Sequence, residues 1–382
     1  MSASAHKGGG FCQLAIIGKG VIELDMAKRT KPVGIKDVAK LANVSISTVS
    51  NVLNGSKMVS AGLQERVMQA VDELNYEVNL VARGLKSGKT NTVAVIVPSI
   101  TSVFFPPLLK SIQDAADHES YSINVFGTSG SLEKEKKYIQ TLKSQWVDGI
   151  LLSSCIDTSD SNSGAYIEYL SALNTNGTPI PLICLESAIS SSLDAVIVDD
   201  MNGLKTATEH LISLGRRSIA YIAAPSAFSM GKSRRDGYLT ALAVHQIPIN
   251  DQLMIDGDYT PASGYQCMKA LLKRGLSIDA VAAGNDQMAI GAMRAILDAG
   301  LEIPGDIAVT GYNDNFPASL VQPSLSTIHV PKEDMGKTAF ELFLRRLNNP
   351  EASHIHLCLN GSLVIRNSTD PEAKTQWNLQ NW

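Results

Sequence analysis

From Thr92 onward the chain repeats one pattern: a short apolar run, a helical stretch, then another apolar run. The runs TVAVIVP, YSINVFG, DGILLSS, PLICLE, DAVIVDD, SIAYIAA, AVAAGN and IAVTGYN are nearly continuous in apolar character. A strand without polar alternation must be covered on both faces. Stretches such as Leu108 to His118 and Glu133 to Gln145 can supply the cover. Apolar strands alternating with helices indicate an α/β fold with parallel sheets. Eight such strands between Thr92 and Asn313 suit two α/β lobes better than one.

Ahead of this body, Ile35 to Asn54, IKDVAKLANVSISTVSNVLN, has a different period. Ile35, Val38 and Ala39, then Val44, Val49, Val52 and Leu53, form two short helical stripes broken at Ala42-Asn43-Val44. Asn43 tolerates a left-handed backbone, and Ser45 is placed to cap the second helix. That helix presents Ile46, Ser47, Ser50, Asn51 and Asn54 outward, with Ser45 and Thr48 in the same set. These side chains are small, hydrogen-bonding or methyl-presenting, and suit base edges and phosphates in a major groove. After a loop from Gly55 to Val59, Ser60 can cap a third helix carrying Leu63, Val67, Ala70, Val71 and Leu74.

Charge marks the same end. Residues 26 to 90 hold ten Lys and Arg against five Asp and Glu, a local +5 that leaves −9 elsewhere in a chain of net charge −4. The basic end suits nucleic acid. Cysteines at 12, 155, 184, 267 and 358 form no CxxC pair and no regular spacing, which argues against a zinc site or a disulfide framework and fits a reducing cytoplasm. No run of 18 apolar residues is present to span a membrane. The apolar patch from Phe11 to Ile17 is too short, and too interrupted by Gln13, for an export signal. Residues 1–31 read as a disordered extension, with Met26 as an alternative start. Gly18-Lys19-Gly20 lacks the third glycine of a dinucleotide fingerprint, and His354 with His356 lacks a third metal ligand. Without a nucleophile elbow, a zinc-protease motif or a phosphate loop, nothing argues for catalysis or a cofactor.

The string IKDVAKLANVS, then TVSNVLNG, VS and QERVMQAVDELNYEVNLVARGLKSGKT, resembles the headpiece of the LacI/GalR family of bacterial transcriptional regulators. The likeness continues through VPSITSVFF, WVDGILL, LISLGRRSIAYI, RRDGYLTAL, GNDQMAIGAMRAILDAGLEIPGDIAVTGYND and PSLSTIHVP, and covers roughly residues 33 to 368. It implies a helix-turn-helix headpiece over 32–77 and a hinge over 78–90 that folds on DNA. It further implies a two-lobed, periplasmic-binding-protein-like body over 91–368, followed by a tail over 369–382. The chain should cross between lobes three times, near Ser187 to Ser191, Thr327 to His329 and Ala352 to Ser353. Leu85 matches the family's leucine that wedges into the minor groove, where an apolar side chain unstacks a step and kinks the duplex. Without the resemblance it reads as packing on the following domain. Val78 stands where the family has a proline.

Ligands of open parallel sheets sit at the carboxyl ends of strands and, in a two-lobed body, between the lobes. Phe104 and Phe105 follow the first strand, Arg234 precedes Gly237-Tyr238, Tyr259 follows Gly257-Asp258, and Asn285-Asp286 and Asn313-Asp314 end strands. Each matches a family effector position. Aromatic faces, an arginine fork and surrounding amides suit a polyhydroxylated ring. Composition alone also allows Phe104 and Phe105 as core residues and Arg234 as a surface ion pair with Asp236 or another acid. The expectation is a homodimeric cytoplasmic repressor whose headpieces bind a pseudo-palindromic operator DNA. A small-molecule effector, a sugar or sugar derivative, would bind in the cleft and control it. The rival is a sugar-binding protein of a transport system, against which the fused basic headpiece and the missing signal peptide speak.

Overall fold

The computed structural model describes residues 15–17, 20–22, 33–54, 57–76, 89–158, 160–225 and 228–374. The chain divides into two compact units, Met1–Arg83 and Gly84–Trp382, with the division inside the expected hinge. The expectation of disorder over residues 1–31 needs correction at one place, where Ala15–Ile17 and Gly20–Ile22 pair as an antiparallel hairpin. The β-branched residues Ile16, Ile17, Val21 and Ile22 favour strands, a signal too short to stand out in a glycine-rich stretch.

The headpiece forms helices at Ile35–Leu41, Ile46–Asn54 and Ala61–Glu73. The first is capped from within: the Gly34 N–H donates to Asp37 Oδ2 at 2.9 Å. Asn43 takes the turn between the first two with φ +51°, the left-handed value its short amide side chain tolerates. Ser45 Oγ accepts from the Thr48 N–H at 3.1 Å and so caps the second helix. Ser60 stands at the cap position of the third helix, but its side chain makes no cap bond. Val38, Ala39, Ala42, Val49, Val67 and Ala70 close the core, with Ile35, Val44, Val52, Leu53, Val71 and Leu74 packed around them.

In the body all eight expected strands form, at Thr92–Val97, Ser122–Gly127, Gly149–Leu152, Leu182–Glu186, Asp194–Val198, Ile219–Ala223, Ala280–Ala283 and Ala308–Asn313. Period-2 geometry sends Val93, Val95 and Val97 into one buried cluster and Ala94 and Ile96 into another. Both clusters are apolar, so the run shows no alternation. The first-lobe sheet is ordered 356–359, 194–198, 182–186, 149–152, 92–97, 122–127, with every pair parallel. The second is ordered 254–256, 219–223, 280–283, 308–313, 326–329, 362–364, parallel except for the last pair.

The three lobe crossings are real but lie later in the chain than expected. Asp194–Val198 pairs with Leu182–Glu186, so the chain is still in the first lobe at Val198 and crosses at Asp199, not at 187–191. It returns at Val330 and Pro331, because residues 327–329 are themselves part of the second sheet. The last crossing is at Asn360 and Gly361, between His356–Leu359 in the first sheet and Ser362–Val364 in the second, not at 352–353. Which sheet a strand joins is decided by its partner, and composition does not carry that information. The body also continues past residue 368: Thr369 is buried, and its hydroxyl shares hydrogen bonds with His210 Nε2 at 2.9 Å and Ser326 Oγ at 2.6 Å.

Candidate functional site

Each sheet has one point where the strand order reverses. In the first lobe, Thr92–Val97 lies between Ser122–Gly127 and Gly149–Leu152; in the second, Ile219–Ala223 lies between Met254–Asp256 and Ala280–Ala283. The loops leaving adjacent strands there diverge to opposite faces and leave a crevice at the carboxyl ends. A cavity of about 530 Å³ occupies this place, with Pro98, Ser99, Phe104 and Phe105 from the first lobe and Pro225, Phe228, Arg234, Tyr259, Asn285 and Asn313 from the second. All six expected effector positions line it. Phe104 and Phe105 are also core residues, packed edge to face at 5.2 Å between ring centroids.

Arg234 is not a surface residue and does not pair with Asp236. It is 5% exposed; Nε donates to Asp200 Oδ1 at 2.8 Å, Nη1 donates to the Gly284 carbonyl at 2.8 Å, and the guanidinium lies 4.0 Å from the Tyr312 ring centroid. Burial raises the Asp200 carboxyl above the usual aspartate range, with Arg234 opposing. Asn285 is similarly engaged: its Oδ1 caps helix Asp286–Asp298 by accepting from Met288 N–H at 2.9 Å, and its Nδ2 donates to the Tyr259 carbonyl at 3.1 Å. An amide has a second bond to offer at each end. Tyr259 Oη and Asn313 Oδ1 are buried without a hydrogen-bond partner among the described residues. Leaving such groups unpaired is costly, so a ligand that meets them gains what the protein withholds.

Backbone strain gathers at the same place. Glu186, Tyr259, Asn313 and Asp314 have φ of +67°, +70°, +110° and +51°, a region that bulky side chains rarely enter and that persists where surrounding structure enforces it. Part of that enforcement comes from Lys332, whose buried ammonium donates to the Asn313 carbonyl at 2.6 Å and the Asp314 carbonyl at 3.3 Å. Burial depresses the Lys332 ammonium, with Asp286 and Asp314 opposing.

In the headpiece, Ser45, Ile46 and Ser47 are exposed at the start of the second helix, while Thr48, Ser50 and Asn51 are half-buried. Ser45 Oγ lies 2.6 Å from Ser47 Oγ and 2.9 Å from Thr48 Oγ1, a hydroxyl cluster over the helix N-terminus. The side chain of Asn54 and the whole of Leu85 lie outside the described residues.

Residues 34–79 match the profile of bacterial regulatory proteins of the lacI family, and residues 208–369 match a periplasmic binding protein-like domain. The HTH-type transcriptional repressor PurR of Pasteurella multocida is 33% identical over 335 residues, which cover 87% of this chain and 98% of that protein. The chain belongs to the LacI family. The ribose operon repressor of Escherichia coli K12 is 32% identical over 87% of this chain and 99% of its own length. Among solved structures, the lac repressor dimer bound to operator and the anti-inducer ONPF superposes with a TM-score of 0.79 at 31% identity, covering 89% of this chain and 99% of that one. A LacI family regulator from Enterococcus faecium with bound ribose gives 0.61 at 29% identity, covering 74% and 100%.

This LacI family member is therefore a DNA-binding regulator with a periplasmic-binding-protein-like body, and its relatives are regulators of transcription, which disfavours the transport reading. No helix among the described residues is long and apolar enough to cross a membrane. Sequence reasoning missed Glu186, which lines the cavity at 9% exposure with the Ser153 hydroxyl donating to it. Burial pushes its carboxyl up to about 7, with Ser153 and Arg234 opposing and Asp200 assisting. Its only sequence signal was an acid closing an otherwise apolar strand.

Proposed function

We propose that the protein acts in the cytoplasm as a homodimeric repressor, its two headpieces reading the halves of a pseudo-palindromic operator. Ser45, Ile46, Ser47, Thr48, Ser50, Asn51 and Asn54 meet the major groove, and Leu85 wedges into the minor groove. A small metabolite of the sugar type binds in the cleft against Phe104, Phe105, Arg234, Tyr259, Asn285 and Asn313, and shifts operator affinity. The observation that carries this reading is the convergence of these six body residues, from two lobes, on one cavity that holds two unpartnered polar atoms. The enterococcal relative with bound ribose supports the ligand class.

Coupling would run through the lobe crossings. A ligand that favours one lobe arrangement changes where the first lobe holds each hinge, and operator affinity follows by linkage. The test is titration of the full-length protein with operator DNA at several ligand concentrations, and with ligand at several operator concentrations. Operator affinity should change by the factor by which operator changes ligand affinity. Two independent isotherms would refute the coupling.

A further inference from the structure

The charge of the cleft separates ligands that its shape does not. Among the residues that line the cavity, Arg234, Glu186 and Asp258 are the charged ones. The arginine is already compensated, since it is joined to Asp200, itself 5% exposed, by a 2.8 Å ion pair. A closed pair of this kind presents little net charge to an incoming group. Asp258, at the exposed mouth, is held below the usual aspartate range by the hydrogen bonds that the Thr260 hydroxyl and the Thr260 N–H donate to its carboxylate, and so remains ionised. The nearby lysines are engaged elsewhere: Lys332 on backbone carbonyls, and Lys232 on Asp157 at 3.2 Å.

Resting on the effector reading above, we infer that the cleft admits uncharged, hydroxyl-rich molecules and excludes their phosphorylated and carboxylate counterparts, with Glu186 enforcing the choice. An anion in this cavity meets Glu186 and Asp258 with no uncompensated cation to offset them, in a space where water screens poorly. A hydroxylated ring meets what is left open. Its hydroxyls donate to the Glu186 carboxylate and to Asn313 Oδ1, and accept from or donate to Tyr259 Oη. Of these open groups, the Glu186 carboxylate and Asn313 Oδ1 only accept and offer an anion nothing, and the phenol of Tyr259 offers it a single donor.

The test uses the full-length protein at pH 8 and calorimetric titration with matched sets: neutral pentoses and hexoses, their terminal phosphate esters, and their uronic or aldonic acids. At least one neutral sugar should bind, and its charged counterparts should bind about 100-fold more weakly. Glu186→Gln should narrow that gap to about ten-fold, whereas Glu186→Asp, which keeps the charge, should preserve it. A phosphate ester or acid that binds as tightly as its neutral parent overturns the inference. So does a panel in which no neutral hydroxylated member binds. The wild-type comparison decides by itself if a variant fails to fold. Gel shifts with operator DNA on the same preparation report separately on the regulator reading, and their failure would leave the charge selection standing.

Discussion

Arg234 illustrates how a single side chain can be placed correctly and its chemistry only half read. The sequence located it in the cleft and offered it to the ligand, or to a surface acid; the structure gives two of its three nitrogens to Asp200 and Gly284. Arg234→Ala is therefore expected to leave Asp200 buried without its cation and to lose about 3 to 5 kcal/mol of stability. Urea unfolding measures this, and an unchanged midpoint would mean that the pair is not what holds Asp200. Glu186 gives a pH signature. Folding favours its protonated form, so its contribution to stability is fully present below the ordinary glutamate range and is lost as pH rises through about 7. Ligand hydroxyls favour the carboxylate instead, so sugar affinity should rise with pH to a plateau above about 7, with proton release on binding. Calorimetry in buffers of different ionisation enthalpy detects that proton. Glu186→Gln should flatten both profiles, and a variant that keeps the wild-type pH dependence would assign it to another group.

At the scale of the element, the recognition helix carries Asn51 where the family commonly has arginine. Arginine suits guanine and asparagine suits adenine, so the operator half-site should differ from the usual family site at that step. Asn51→Ala should weaken operator binding by about 1 to 3 kcal/mol and relax the preference there. Randomised-site selection reads both, and an unchanged base preference would remove Asn51 from the contact. The helices and central strands were legible because their periods are strong: seven of the eight apolar runs are strands buried almost throughout, and the eighth, Ser122–Gly127, is a partly exposed edge strand. Met254–Asp256, Ser326–His329, His356–Leu359 and Ser362–Val364 were not read as strands. Three of them are sheet edges, where one side needs no partner and polar residues intrude, and the fourth, STIH, is short and half polar. The cleft residues were legible through strand-end positions and family likeness. Glu186 and Lys332 were not, because burial of a charge is a property of the assembled lobes.

For the whole molecule, the crossings are the parts that must flex if the lobes shift. Gly361 sits at the third, and an added Cβ would lie 2.7 Å from Ile328 Cγ2 and 3.1 Å from the His329 carbonyl. Gly361→Ala should cost about 1 to 3 kcal/mol and alter ligand affinity without touching the cleft. Ligand titration beside thermal unfolding tests it, and a variant that loses stability with wild-type affinity would detach this crossing from lobe arrangement. The threefold crossing also governs when the protein can come into being. The ribosome delivers helix Lys332–Asn348 and strand His356–Leu359 only after every strand of the second lobe but its last has been made, yet both belong to the first. Until then Asp194–Val198 waits with a bare edge, open to wrong partners. The headpiece, which is made first and packs its own core, thus precedes its regulatory body by most of the translation time, and any product truncated before His356 carries two unfinished lobes behind it.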